Sequence, residues 1–139
     1  MTNSEYLKPI PTWDTDSKAF WDGCKEHELR IPKCNDCGES FFPPQSVCPT
    51  CWQRNVSFEK VPGTGKIYTF AVVNQNKSKA WAEDVPYAIA YVTVDVAEVQ
   101  VFSNVVNVDD PFKLKIGQKV KGAVRDINDE VSLPIFEPA

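Results

Sequence analysis

The sequence predicts a mainly β chain: an N-terminal helix, a small metal-bearing ribbon, then a five-stranded barrel. Three observations carry that prediction. Four of the five cysteines fall in two Cys-x-x-Cys pairs, Cys34/Cys37 and Cys48/Cys51, with residues 38–47 between them. Short alternating runs bounded by turn residues fill the C-terminal half, and 87–96 (YAIAYVTVDV) is the clearest of them. Eleven prolines and a single helical pattern, near the N-terminus, leave no room for a helical bundle.

The helix is expected at 18–29 (KAFWDGCKEHEL), about three turns, with N-cap candidates at Thr15, Asp16 and Ser17. Phe20, Trp21 and Cys24 share one face. That face packs on the rest of the chain, or Phe20 and Trp21 dock on a partner, because a small ribbon offers little surface to cover them. Residues 1–29 are read as an extension plus this helix, 30–60 as the ribbon and 61–139 as the barrel.

Two Cys-x-x-Cys turns present four thiolates, which suit tetrahedral zinc. Gly38 supplies the left-handed turn after the first pair and Pro49 stiffens the second. The gap is too short for a helix but fits a hairpin, with one strand at 39–42. The set Cys34, Cys37, Cys48 and Cys51 therefore reads as a rubredoxin-like zinc ribbon. Iron suits the same geometry, but rubredoxin pairs lie further apart; a thioredoxin-like redox site needs only one pair. Four thiolates close the coordination shell, so the zinc is structural and leaves no position for Lewis-acid chemistry.

Beyond the ribbon, strands are expected at 65–73, 87–96, 99–106, 119–127 and 131–136, the strand count of an OB-fold barrel. The connection 74–86 (NQNKSKAWAEDVP) is too long for a hairpin, and long loops of this kind are often functional. Its Lys77, Lys79 and Trp81 could meet a phosphate and a flat ring, or form a solvated surface.

Other motifs dissolve on inspection. In Gly63-Thr64-Gly65-Lys66 a phosphate loop would need glycine at Lys60 and Ser or Thr at Ile67, so the motif is a turn. Cys24 and His27, three apart, lack an identifiable third group to orient the imidazole. No catalytic constellation is expected. A net charge of −4 argues against a nucleic-acid binder, although ribbons and OB barrels both serve that role elsewhere. No membrane span or secretory leader is legible, which predicts a cytoplasmic protein and reduced thiols.

The run from the helix through "KCNDCGESFFPPQSVCPTC", then "GTGKIYTF", "VPYAIAYVTV" and "PIFEP", resembles the zinc-ribbon plus OB-fold, acyl-CoA-associated family long catalogued as a domain of unknown function. The resemblance covers about 20–138. Gln45 stands where the family usually has arginine after the two prolines, and the turn EHELRIPKC lacks a common glycine. Such proteins accompany thiolase-like enzymes and hot-dog-fold enoyl-CoA hydratases. The resemblance implies a non-catalytic small subunit that helps a thiolase-like larger subunit hold acyl-CoA or CoA, in a hetero-oligomer. It also gives Phe42, Pro43 and Pro44 a role as a pre-shaped apolar surface, with Phe41 in the ribbon core.

Overall fold

The computed structural model describes residues 6–139. Helix α1 spans Lys18–Lys25, two turns rather than three. Ser17 holds the N-cap position, but its side chain is engaged in a turn with Asp14 and caps no helical amide. The helix stops because His27 turns left-handed (φ 60°) and the Glu28 amide reaches back to the Gly23 carbonyl at 2.8 Å. His27 thus takes a left-handed position that glycine would meet without a Cβ penalty. Phe20, Gly23 and Cys24 face inward at helical spacing.

Strands β1 (Leu29–Cys34) and β2 (Val56–Val61) pair antiparallel and form the base of the ribbon. Neither was expected as a strand. The anticipated strand at 39–42 is instead a single bridge between Lys33 and Ser40, cut short as the chain enters Pro43 and Pro44.

The barrel is closed in the order β3-β4-β5-β9-β6, with β3 at Thr64–Val73, β4 at Tyr87–Val94, β5 at Gln100–Val105, β6 at Lys119–Gly122 and β9 at Phe136–Pro138. Closure leaves no open sheet edge, and five strands closed in this way make an OB-fold. The expected strand 119–127 breaks after Gly122. Arg125–Asp126 (β7) leaves the barrel and pairs with Ser132–Leu133 (β8). The run at 131–136 therefore divides between that small hairpin and the closing strand β9, which pairs parallel to β5 at Val105–Phe136 and antiparallel to β6.

Ala88, Ala90, Val92 and Val94 fill the barrel interior from β4, all 2% exposed or less. A fully buried valine contributes about 1.5–3 kcal/mol. They join one continuous core with Phe20 and Cys24 of α1 and Leu29, Ile31 and Val61 of the ribbon base. A second, much smaller cluster holds only Cys34, Phe41 and Cys48, flanked by Cys51 and Val56.

Gly65 lets β3 pass close to β4: a Cβ there would lie 2.5 Å from the Thr93 carbonyl oxygen. Backbone cannot move aside as a side chain does. Gly65→Ala should therefore lower stability by about 1–3 kcal/mol in a denaturant titration; an unchanged midpoint would show that the barrel relaxes there freely. Among the described residues no helix is long and apolar enough to cross a membrane.

Candidate metal centre and apolar groove

Cys34 ends β1, and Cys37 follows in a turn closed by the Gly38 amide on the Cys34 carbonyl at 2.9 Å. The second pair repeats this, with the Trp52 amide on the Cys48 carbonyl at 2.9 Å. These turns bring four sulfurs together, all within 4.8 Å of one another. Cys34 and Cys51 Sγ are 3.5 Å apart, and Cys37 and Cys48 Sγ are 3.6 Å apart. A zinc ion with bonds of about 2.3 Å to four thiolates needs sulfur–sulfur edges of about 3.8 Å, so the donor set fits. Amide donors from Cys51 and Thr50 pull the Cys48 thiol down to about 6, favouring the form that binds metal. The four cysteines are arranged for structural zinc.

Cys24 plays no part in that centre. It is buried, and burial pushes its thiol up to about 12, which makes it inert. His27 is exposed, and its Nε2 lies 2.9 Å from Asp126 Oδ1 on the β7–β8 hairpin. Asp126 is held below the usual carboxylate range first by the Ser132 hydroxyl (2.6 Å) and then by His27. The group that orients the imidazole thus sits 99 residues along the chain, beyond the reach of local sequence. Its work is to clasp the hairpin onto the helix end. A lowered carboxylate pKa stabilises above the ordinary aspartate range, and the contribution is lost as pH falls through the folded value.

The residues expected to face a partner gather round one groove of about 450 Å³, where α1, the ribbon tip and β5 meet. Phe20, Trp21, Phe42, Pro43 and Pro44 all line it. Phe20 itself is buried and anchors the wall. Its ring lies 5.3 Å from Trp21 and 5.2 Å from Phe42, both edge-on, while those two side chains remain partly exposed. Phe41 is buried among the cysteines. Phe102 also lines the groove, and its ring lies 5.1 Å from that of Tyr91, its partner across the β4–β5 ladder. Both are about half exposed, so they carry the apolar surface onto the outer barrel face. Alternation in β4, with Ala90 and Val92 turned inward, was the signal that Tyr91 faces out.

A second cavity of about 450 Å³ lies beside the long loop, lined by Trp81, Lys8, Tyr87, Asn104 and Arg125 among others. Lys8 is paired with Asp84 at 2.6 Å, and the Arg125 guanidinium lies 5.3 Å from the centre of the Tyr6 ring. Trp81 is partly buried in this wall. Lys77 and Lys79 stand exposed on the same loop, outside the lining.

Two family models match the chain in succession. Residues 21–57 match a rubredoxin-like zinc ribbon domain of ChsH2, and 58–125 match a ChsH2 C-terminal OB-fold domain. A DUF35 domain-containing scaffold protein of Methanothermobacter thermautotrophicus is 30% identical over 76% of this chain and 78% of its own length. A probable enoyl-CoA hydratase alpha subunit of Thermomonospora curvata is 28% identical over 96% of this chain, which spans only 40% of that subunit. Benzoylsuccinyl-CoA thiolase subunit BbsA of Thauera aromatica is 28% identical over 76% of this chain and 71% of its own length. Among solved structures, one described as an Ltp2-ChsH2(DUF35) aldolase superposes with a TM-score of 0.81 at 26% identity, covering 92% of this chain and 98% of its own.

Proposed function

Because the chain belongs to the DUF35 family of zinc-ribbon and OB-fold proteins, we propose that it is a non-catalytic subunit of a thiolase-type complex. In this reading it docks on a larger catalytic subunit and helps form or stabilise that subunit's acyl-CoA or CoA site. The observation that carries the reading is the preformed apolar groove at the junction of helix, ribbon tip and barrel. Its wall joins a metal-ready ribbon on one side to a closed barrel on the other. Aromatic and proline side chains lie along it with little rotamer freedom to lose on binding. The thiolase subunit BbsA and the aldolase structure support the partner class.

The reaction is cleavage of a 3-oxoacyl-CoA. The partner's cysteine thiolate attacks the 3-oxo carbon, the C2–C3 bond breaks, and C2 leaves as the enolate of a shortened acyl-CoA that takes up a proton; the deprotonated thiol of free CoA then takes the acyl group and releases the cysteine thiolate. Benzoylsuccinyl-CoA, the substrate in the name of the BbsA relative, is the narrowest form of this reading. Assayed alone, the chain should give no thiolysis, and adding the larger subunit should restore it. A larger subunit fully active by itself contradicts the proposal.

CoA is assigned to the surface around Trp81, Lys77 and Lys79. The lysines would meet phosphates at the loop's outer side, and Trp81 would form one wall of the adjoining cavity. Replacing both lysines by alanine should raise the Kd of the complex for CoA roughly tenfold, since two charge-assisted contacts are lost. An unchanged Kd removes them from the site. A second reading keeps the accessory role and changes the chemistry, because the Thermomonospora relative is a hydratase subunit. A hot-dog-fold enoyl-CoA hydratase would then fill the groove, and the enzyme that co-purifies separates the two readings.

A further inference from the structure

The two metal-binding turns share one backbone geometry but close it with different residues. In each, the position after the second cysteine is left-handed and its amide donates to the first cysteine's carbonyl. Gly38 does this at φ 79°, and Trp52 at φ 67°. Glycine meets that geometry without a Cβ penalty, whereas tryptophan does not. Burial does not offset the cost. Trp52 is 78% exposed, more than any other large apolar side chain among the described residues. A bulky ring held against its backbone preference and left in water contributes nothing to the isolated fold; its use lies in what it touches outside the chain.

The surroundings say what that is. Trp52 borders a shallow groove lined by Gln45, Val47, Pro49 and Arg54. Arg54 is exposed and, among the described residues, makes no ion pair. Tryptophan beside arginine on an apolar floor is the composition of a protein-interface centre. The groove also adjoins the one already assigned to the catalytic partner. The single stretch from Phe42 to Val47 lines both, with Phe42, Pro43 and Pro44 on the first and Gln45 and Val47 on the second.

We propose that Trp52 and Arg54 are the anchor of the same docking surface: the indole enters an apolar slot on the catalytic subunit, and the guanidinium pairs with a carboxylate at the rim of that slot. This inference rests on the reading that the chain docks on an enzyme subunit.

The backbone supplies an unusually clean test. Glycine suits the left-handed position, so Trp52→Gly should keep its zinc and melt no lower than the parent chain. Its Kd for the larger subunit should nonetheless rise roughly 30-fold, the effect of losing an interface anchor. Arg54→Glu should weaken binding further at low salt than at high salt, and Arg54→Lys should recover part of the loss. If the parent binds and Trp52→Gly binds equally well, the inference is wrong and the functional reading stands. If Trp52→Gly loses zinc or melts lower, the ring is structural and the inference is again wrong. A parent chain that binds no thiolase-type subunit overturns both.

Discussion

Stripping the zinc, or replacing Cys48 by serine, should unfold the ribbon tip while the barrel persists. The tip has almost no core of its own: Cys34, Phe41 and Cys48 are buried there with Cys51 and Val56 alongside, and two of those three are metal ligands. Structural zinc contributes about 10–16 kcal/mol of apparent binding free energy at neutral pH, far more than so small a cluster can supply. The ribbon base is different. Leu29, Ile31 and Val61 belong to the barrel's core and should stay ordered without metal. Hydrogen exchange after chelation should therefore show lost protection across 35–55 and retained protection in β3, β4 and β5. Protection across 35–55 that survives quantitative zinc removal would show that the metal is not what holds the tip. Acidification should act in the same direction as chelation. Zinc binds deprotonated sulfur, so protons compete with the metal for all four cysteines. Retention is therefore lost as pH falls, not as it rises.

The second large effect is expected at the apolar groove. Trp21→Ala combined with Phe42→Ala should raise the Kd for the larger subunit at least roughly 30-fold, the scale of a truncated aromatic anchor. Both side chains are partly exposed at the groove wall, so the free chain should lose comparatively little stability. Phe20 is the wrong residue for this test. It is 4% exposed and sits in the main core, where truncation to alanine costs about 3–5 kcal/mol and confounds binding with folding. Titration calorimetry alongside a melting curve separates the two. A double variant that melts and binds like its parent removes the groove from the interface.

The contrast between Phe20 and Trp21 illustrates what sequence could and could not reveal. Helical spacing placed both on the apolar side of α1, and only the packed structure shows that one is core and the other rim. The four cysteines were legible because their chemistry is local: two tight turns, each complete within four residues. Strand β4 was legible because its interior and exterior residues alternate without interruption. Strands β1 and β2 were not, because Pro32 lies inside β1 and neither run alternates cleanly; what makes them strands is their mutual pairing from Leu29–Val61 to Cys34–Val56. The split of 119–127 was equally hidden. Nothing local in that run reveals that β7 leaves the barrel for β8, nor that Asp126 meets His27, 99 residues earlier in the chain. Trp52 was overlooked although the signal was available: setting CNDCG beside CPTCW shows tryptophan where its twin has glycine.

Mild affinity capture from its native cells tests most directly whether this chain works as part of a thiolase-type complex. Mass spectrometry of the captured material should find a thiolase-like subunit at a fixed stoichiometry, retained by the parent chain and depleted when Trp21 and Phe42 are replaced. Capture of the chain alone, or with nucleic-acid-binding proteins only, would contradict the claim and leave the DUF35 fold serving some other end.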